Sequence, residues 1–289
     1  MEEEWTTNCE PLFGETSSTY YKVMGTDHTI ISKTRSVTNV KSVECAANEL
    51  FADDLWPGCF VLADILCKHS VLCQDKYILE LGAGSALPGT VASVLGAKKV
   101  ALTDYPEPTV IENIEYIVKL NNLSNIMVLS HAWGSTVEPL LNCLGCSCTG
   151  SSTGTDTDLN ISSNNSSSGA GSDATGNLPS PVKFDLVLCA ELLWKDTYSQ
   201  HNNLLKTLSQ CINPTTGIAI LTFVHRPTIT HTIENDLEFF KTATSTYGLK
   251  VSCLGSNSTY KDALDSSGNY AEVFVYLLYY NANISDITI

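Results

Sequence analysis

The chain has 289 residues and a hydrophobic fraction of 43%, which is enough for one large α/β domain. Its 16 Lys and Arg stand against 31 Asp and Glu, a formal net charge of −15 at pH 7. Because nucleic-acid binding depends on clustered positive charge, this composition argues against a nucleic-acid partner and favours basic proteins or neutral small molecules.

The amino terminus lacks the basic and apolar segments of a signal peptide, and no apolar run is long enough to span a bilayer. We therefore expect a cytoplasmic protein without a membrane partner. In that reducing compartment the eleven cysteines imply no disulfide framework. Cys143, Cys146 and Cys148 form the tightest cluster, but no fourth ligand lies close by, so no metal site is predicted.

The first fifty residues carry weak strand patterns at residues 20–24 and 29–32. Between them, Gly25-Thr26-Asp27 is typical turn chemistry. Residues 1–50 are therefore predicted to be an N-terminal extension that contains a hairpin.

From residue 51 the chain alternates between short apolar runs and helical periodicity, which predicts a parallel sheet with crossover helices. Helices are predicted after residue 104 and at residues 199–211 and 229–244. The nearly continuous apolar run at residues 271–280 predicts a central or near-central strand, antiparallel to its neighbour. The remaining strands are predicted at residues 77–81, 100–103, 126–129, 185–189 and 218–223.

Residues 146–180 consist almost entirely of Ser, Gly, Thr, Asn and Asp, a composition that cannot bury a core. Because strand and helix patterns continue on both sides, this segment is predicted to be a disordered insertion within one domain. It follows the third strand and its helix and precedes the fourth strand, so we expect it at the amino edge of the sheet, opposite any ligand site.

A glycine loop follows the first of these strands, within residues 80–89. Gly82 and Gly84 allow backbone to approach a ligand closely. A dinucleotide-binding fingerprint would place its third glycine where Leu87 stands, which disfavours a dehydrogenase. Glu80, just before the loop, suits the cationic amino group of a methionine moiety. The loop therefore favours S-adenosylmethionine (SAM) over a dinucleotide.

Three further candidates lie where ligands bind in such folds. Asp104 ends the second strand, where an acid can accept hydrogen bonds from both ribose hydroxyls of an adenosine; the alternative is a helix N-cap. Trp56 opens the first long helix and Trp133 follows the third strand. Either indole could stack on adenine, or each could be a core or rim residue.

The fourth predicted strand is followed by Ala190-Glu191-Leu192-Leu193-Trp194. A small residue, an acid and an aromatic at this edge suit a cationic or amine acceptor, whereas the alternative for Glu191 is an acidic helix start. His225-Arg226-Pro227 adds polar groups at the end of the fifth strand, although a lone histidine is usually structural.

These motifs together resemble the seven-strand, class I SAM-dependent methyltransferases that modify non-histone proteins. Within them, the chain is similar to the fungal-type N-terminal and lysine methyltransferases of elongation factor 1-alpha, a branch historically labelled nicotinamide N-methyltransferase-like. The segments that carry the resemblance are Leu55-Trp56-Pro57-Gly58, residues 80–89, Leu102-Thr103-Asp104-Tyr105-Pro106-Glu107-Pro108, Ala132-Trp133-Gly134 and His225-Arg226-Pro227.

The resemblance implies a Rossmann-like α/β fold with a seven-stranded, mostly parallel sheet, helices on both faces and an antiparallel last strand pair. It implies a SAM-dependent methyltransferase domain at residues 51–289, interrupted by the insertion at about 146–180. The expected reaction is N-methylation of a protein amino group, at the N-terminus and/or a nearby lysine of elongation factor 1-alpha. The expected enzyme is a monomer.

Carried over position by position, the resemblance assigns Glu191 as the catalytic residue. The family usually has Asp at that position and Phe or Tyr at the position of Trp194, which leaves the acceptor open. The alternatives are a small amine of the nicotinamide type, a lysine of another protein, and a non-catalytic binding module that keeps the fold. The implied SAM-binding residues are Trp56, Gly82, Ala83, Gly84, Asp104, Trp133 and Ala190.

Overall fold

The structure of the protein is a computed structural model. It describes four segments, residues 16–35, 55–145, 182–260 and 269–287. The rest of the predicted N-terminal extension and the predicted insertion at residues 146–180 lie outside the described residues.

The N-terminal segment is an antiparallel hairpin of β1 (Thr16–Lys22) and β2 (Thr29–Arg35). Its inner face buries Tyr21, Val23 and Ile30 against the main domain. The backbone of Ile31 exchanges two hydrogen bonds with the Asn121 side chain, at 2.8 and 2.9 Å. The hairpin is thus packed onto the domain by apolar contacts and pinned by one amide side chain.

The main sheet has seven strands in the order β5-β4-β3-β6-β7-β9-β8. Strands β3 to β7 are parallel, and β9 runs antiparallel to both of its neighbours, β7 and β8. This confirms the predicted Rossmann-like fold class with its antiparallel last pair. The strands are β3 (Tyr77–Leu81), β4 (Lys99–Asp104), β5 (Ile126–Ser130), β6 (Leu186–Ala190), β7 (Ile218–Val224), β8 (Lys250–Asn257) and β9 (Val273–Tyr279).

Helices cover both faces of this sheet. On one face, Leu62, Val91 and Ile114 bring α1, α2 and α3 into one apolar core together with the hairpin. On the other, Leu204 and Phe239 anchor α5 and α6 in a second core, to which the short α4 also contributes. The helices are α1 (Pro57–Lys68), α2 (Leu87–Val94), α3 (Pro108–Leu120), α4 (Glu138–Asn142), α5 (His201–Cys211) and α6 (Ile233–Ser245). None of the helices in the four described segments is long and apolar enough to cross a membrane.

Two helix starts differ from their predicted positions. The helix expected from residue 199 begins as a 3-10 turn at Tyr198–Gln200 before α5. The helix expected from residue 229 begins only at Ile233, because Thr232 and Asn235 form a capping box that sets the first turn there. Residues 229–232 are therefore loop, and they lie at the carboxyl edge of the sheet.

The described residues that flank the predicted insertion lie at the opposite, amino edge. The Lys99 ammonium, at the start of β4, donates a 2.7 Å hydrogen bond to the carbonyl of Cys143. On the far side, Phe184 forms an isolated bridge with Ile212 just before β6 begins. The described flanks on both sides thus lie away from the carboxyl edge of the sheet.

Candidate active site

The carboxyl ends of five parallel strands gather most of the predicted site residues along one edge. The glycine loop follows β3, Asp104 ends β4, Trp133 comes three residues after β5, Ala190 ends β6, and His225-Arg226 follows β7. In open α/β sheets this edge is where ligands bind, because the loops there can diverge and leave a crevice.

The glycine loop adopts backbone conformations that side chains disfavour. Gly82 and Gly84 have φ values of +62° and +50°. A Cβ atom added to Gly82 would lie 2.5 Å from Cδ2 of Leu192, in the segment after β6, and 3.7 Å from the Trp133 ring. The close approach to Leu192 after β6 therefore requires glycine at this position, whereas the Trp133 ring after β5 lies at ordinary contact distance.

Asp104 holds this loop in place. Its carboxylate accepts a 2.8 Å hydrogen bond from the backbone N–H of Gly84 and a 2.7 Å bond from that of Tyr105. The alternative of an N-cap is wrong, because the residue that caps α3 is Glu107. Each carboxylate oxygen has a second acceptor site, so the group can also accept from two ribose hydroxyls. Burial raises the pKa of Asp104 above its usual range.

The sequence suggested that the Glu80 side chain faces a ligand ammonium, but the structure directs it beneath helix α2. The residue is only 1% exposed, and its side chain accepts a 2.9 Å hydrogen bond from the backbone N–H of Gly89, in the first turn of α2. Strand alternation places Glu80 on the face of Ile78, beneath that helix. Burial raises the pKa of Glu80 to about 8, assisted by the charge of Asp104 and opposed by the Gly89 hydrogen bond. This carboxyl group has no open face for a ligand ammonium.

The raised pKa of Glu80 has a consequence for stability. Folded Glu80 keeps its proton to higher pH than the unfolded chain, so its contribution to stability is complete below about pH 4.5 and is lost as pH rises toward about 8. We expect the wild-type protein to lose stability relative to Glu80→Gln as pH rises across this window. The difference between their free energies of unfolding should fall by at most about 1.4 kcal/mol per pH unit. Urea denaturation of both proteins at several pH values measures this difference.

The two tryptophans occupy different parts of the edge. Trp133 is partly exposed beside Gly82. Trp56 is the N-cap residue of α1 and is mostly buried, with its ring 6.1 Å from that of Trp194 and 5.3 Å from the Arg226 guanidinium. Ala190 is buried at the end of β6. The candidate binding residues thus form one group around the glycine loop and another between β6 and β7.

Glu191 is buried at the centre of the second group. It has a left-handed backbone with φ of +56°, and its N–H donates to the carbonyl of Thr222 at 2.7 Å. The side chain is 6% exposed. One carboxylate oxygen accepts from Gly58 N–H at 2.9 Å, and the other accepts from Arg226 at 2.7 Å and from Val224 N–H at 3.3 Å. Burial raises the pKa of Glu191 even though Arg226 and these backbone donors lower it.

This carboxylate therefore ties together α1, β6 and β7. Gly58 is packed so tightly on it that an added Cβ atom would lie 2.9 Å from both Cγ and Oε1 of Glu191. Thr222 closes the junction by donating its hydroxyl to the carbonyl of Gly58 at 2.8 Å. Sequence reasoning missed Arg226 and Thr222 as partners of Glu191. For Arg226 the available signal was a charged residue two positions after a buried strand, and for Thr222 it was a polar residue inside that strand.

His225 belongs to a separate buried network. The buried Asp236 carboxylate accepts hydrogen bonds from His225 Nδ1 at 2.7 Å and from His231 Nε2 at 2.6 Å. His225 is therefore held on α6 and does not face the rim as a free polar group.

A model of the lysine methyltransferase family matches residues 39–143 of the chain. The protein N-terminal and lysine N-methyltransferase of Candida glabrata is 29% identical over 256 residues, covering 86% of this chain and 84% of the relative. That of Candida albicans is 33% identical over 204 residues, covering 68% and 65%. The chain belongs to the lysine methyltransferase family. It is thus a class I, SAM-dependent protein N-methyltransferase.

A solved structure agrees with the fold of this lysine methyltransferase. A Pyrococcus horikoshii protein described as an RNA methyltransferase superimposes with a TM-score of 0.50, over 82% of this chain and 91% of that one, at 11% identity. The likeness concerns the fold alone. For the lysine methyltransferase, the left-handed glycines and the spare acceptor sites of Asp104 fit an adenosine-containing cofactor on the glycine loop.

Proposed function

We propose that this lysine methyltransferase methylates elongation factor 1-alpha, at its N-terminal amino group and/or a nearby lysine. The proposal rests on the resemblance of the chain's motifs to that branch. The observation that carries methyl transfer at this edge is the convergence of the glycine loop, Asp104 and the Glu191–Arg226 pair on adjacent strand ends. The names of the fungal relatives, which combine N-terminal and lysine methylation, support an amine acceptor on a protein.

For the cofactor, we assign two groups of residues. Gly82, Ala83 and Gly84 would offer backbone to SAM, Asp104 would accept from the ribose hydroxyls, and Trp133 would cover the adenine. Trp56 and Ala190 would line the site between β6 and β7. When bound, SAM supplies an electrophilic methyl group on a sulfonium sulfur.

The chain's own task is to align a neutral amine and to keep water out. An α-amino group, with a pKa of about 8, is partly neutral at cellular pH, whereas a lysine with a pKa of about 10.4 must first lose its proton. We propose that Glu191 orients the incoming ammonium and that the proton leaves to water. Because Arg226 already pairs with Glu191, the ammonium has to share that carboxylate with the guanidinium or displace it.

Incubating the enzyme with labelled SAM and purified elongation factor 1-alpha tests the acceptor. We expect label on the N-terminal residue and/or a nearby lysine, located by mass spectrometry. Label only on another protein, or only on a small amine such as nicotinamide, would refute this acceptor. Separate calorimetric titrations test the cofactor: SAM should bind, and binding of NAD alone would contradict the assignment.

A deletion tests the proposed domain organisation, in which residues 51–289 form one catalytic domain interrupted at about 146–180. Removing residues 149–177 should leave methyl transfer and SAM affinity within about twofold of wild type, because the flanks leave the sheet at the amino edge. Steady-state kinetics with the labelled acceptor measures this. A folded deletion variant without activity would show that the insertion contributes to the site.

A further inference from the structure

The loop between β7 and α6 presents an isoleucine to solvent at the rim of the proposed active site. Ile229 is fully exposed, and Ile233, at the start of α6, is also exposed. Tyr198 is exposed as well, and its ring lies 5.7 Å from that of His231, which comes between the two isoleucines in the chain. We call Tyr198, Ile229 and Ile233 the rim patch.

The loop is held firmly although its tip is exposed. Thr228 N–H donates to the carbonyl of His231 at 2.6 Å, and His231 N–H donates to the Thr228 hydroxyl at 3.0 Å. Asp236 fixes both ends, because it accepts from His225 before the loop and from His231 after its tip. Rigid presentation of an apolar side chain lowers the entropy lost when a partner binds.

The position of the loop points to the acceptor side of the site. It begins directly after Arg226, which bonds to Glu191 and lies over the Trp56 ring. On the other side, Tyr198 follows Thr197, whose hydroxyl donates to the carbonyls of Leu192 and Trp194. The rim patch is thus continuous with the two segments that hold Glu191.

The charged residues around the rim patch favour one kind of binding partner over others. Glu234 and Glu238, on the first turns of α6, are exposed, and so is Asp196 before the 3-10 turn. Glu238 pairs with Lys241 at 3.3 Å, and Asp196 pairs with Lys195 at 3.9 Å. The whole chain has a formal charge of −15. Three acids against two lysines leave these segments net negative. Together with the charge of the chain, this disfavours an anionic lipid surface and favours a basic polypeptide that carries an apolar residue.

We propose that the rim patch docks the acceptor protein, with Ile229 inserted against an apolar residue of a basic segment beside the methylated amine. This inference rests on the proposed function, since it requires a protein acceptor. Docking contacts of this kind act on substrate affinity and leave the chemical step unchanged.

Ile229→Ser tests the proposal, with Val71→Ser as the matched control. Val71 is also an exposed aliphatic residue, but it lies in the 3-10 turn after α1, outside the rim. We expect Ile229→Ser to raise KM for the protein acceptor about tenfold, with kcat unchanged, because burial of a whole isoleucine is lost. SAM affinity by calorimetry and the thermal unfolding midpoint should match wild type. Val71→Ser should change none of these quantities.

The acceptor is first established with wild-type enzyme, so that a failure of the proposed function can be distinguished from a failure of the proposed docking surface. If elongation factor 1-alpha is not methylated but another purified protein is, the proposed acceptor is wrong and KM is measured on that protein. Methylation of no protein overturns both proposals. An unchanged KM in Ile229→Ser, or a loss of kcat alone, overturns the docking surface while the proposed function stands.

Two other outcomes would assign the patch to a different occupant and overturn the proposal. Light scattering would show a dimer that Ile229→Ser converts to a monomer, if the patch bound a second copy. Sedimentation with phosphatidylserine vesicles would show binding that the substitution abolishes, if the patch bound lipid.

Discussion

Asp104→Ala is expected to weaken SAM binding at least about a hundredfold. The substitution removes a carboxylate proposed to accept from two ribose hydroxyls, and hydrogen bonds to a charged group contribute about 1.5–3 kcal/mol each. It also releases the backbone N–H of Gly84, so the glycine loop loses the contact that fixes its left-handed conformation. Calorimetric titration with SAM measures the change in Kd.

Two variants make this result interpretable. Asp104→Asn keeps one acceptor oxygen and loses the charge, so its affinity should fall between those of wild type and Asp104→Ala. Glu107→Ala is the control, because it removes an acid three residues away. Glu107 is the N-cap residue of α3 but forms no side-chain capping hydrogen bond, so this variant should bind SAM normally. Wild-type affinity in Asp104→Ala would contradict the assignment of this residue to the ribose.

Most of the parallel sheet could be predicted because its strands are buried on both faces. All seven residues of β7 are buried, and the continuous apolar run that results is easily distinguished from the periodic pattern of an amphipathic helix. β8 gave no comparable signal. It is an edge strand in which no residue is fully buried, and Lys, Ser and Asn occupy several of its positions.

The position of a site residue was predictable where that residue ends or follows a strand. Its hydrogen-bond partner was harder to predict where the partner comes from another strand. Asp104 falls at a strand end, so its place at the carboxyl edge follows from the pattern alone. The pairing of Glu191 with Arg226 depends on β6 lying next to β7. No local sequence pattern predicts that strand order. The orientation of Glu80 was readable from strand alternation, since it shares a face with Ile78.

Glu191→Ala is expected to abolish methyl transfer and to lower the free energy of unfolding by about 3–5 kcal/mol. The stability loss follows because breaking a buried ion pair leaves an uncompensated charge, here the Arg226 guanidinium. The N–H groups of Gly58 and Val224 lose their acceptor as well. Glu191→Gln keeps the shape and one acceptor oxygen, so it should be more stable than Glu191→Ala and equally inactive. SAM should still bind to both variants.

Glu115→Gln is the control for the ion pair itself. Glu115 pairs with Lys119 at 3.9 Å on the exposed side of α3, where such a pair contributes about 0–1 kcal/mol. Urea denaturation and acceptor kinetics should both be near wild type in this variant. A large effect there would mean that acidic substitutions act through the net charge of the chain and not through the site.

The double variant Glu191→Gln with Arg226→Met separates two roles for Glu191. Replacing both members of a buried pair removes the uncompensated charge, so the double variant should recover most of the stability lost in Arg226→Met alone. If Glu191 contacts the acceptor ammonium, as proposed, the stable double variant still binds SAM and stays inactive. If Glu191 only holds Arg226 and the start of α1, activity returns together with stability. Recovered kcat would therefore make Glu191 a positioning residue and leave the ammonium to the aromatic rings of Trp56 and Trp194.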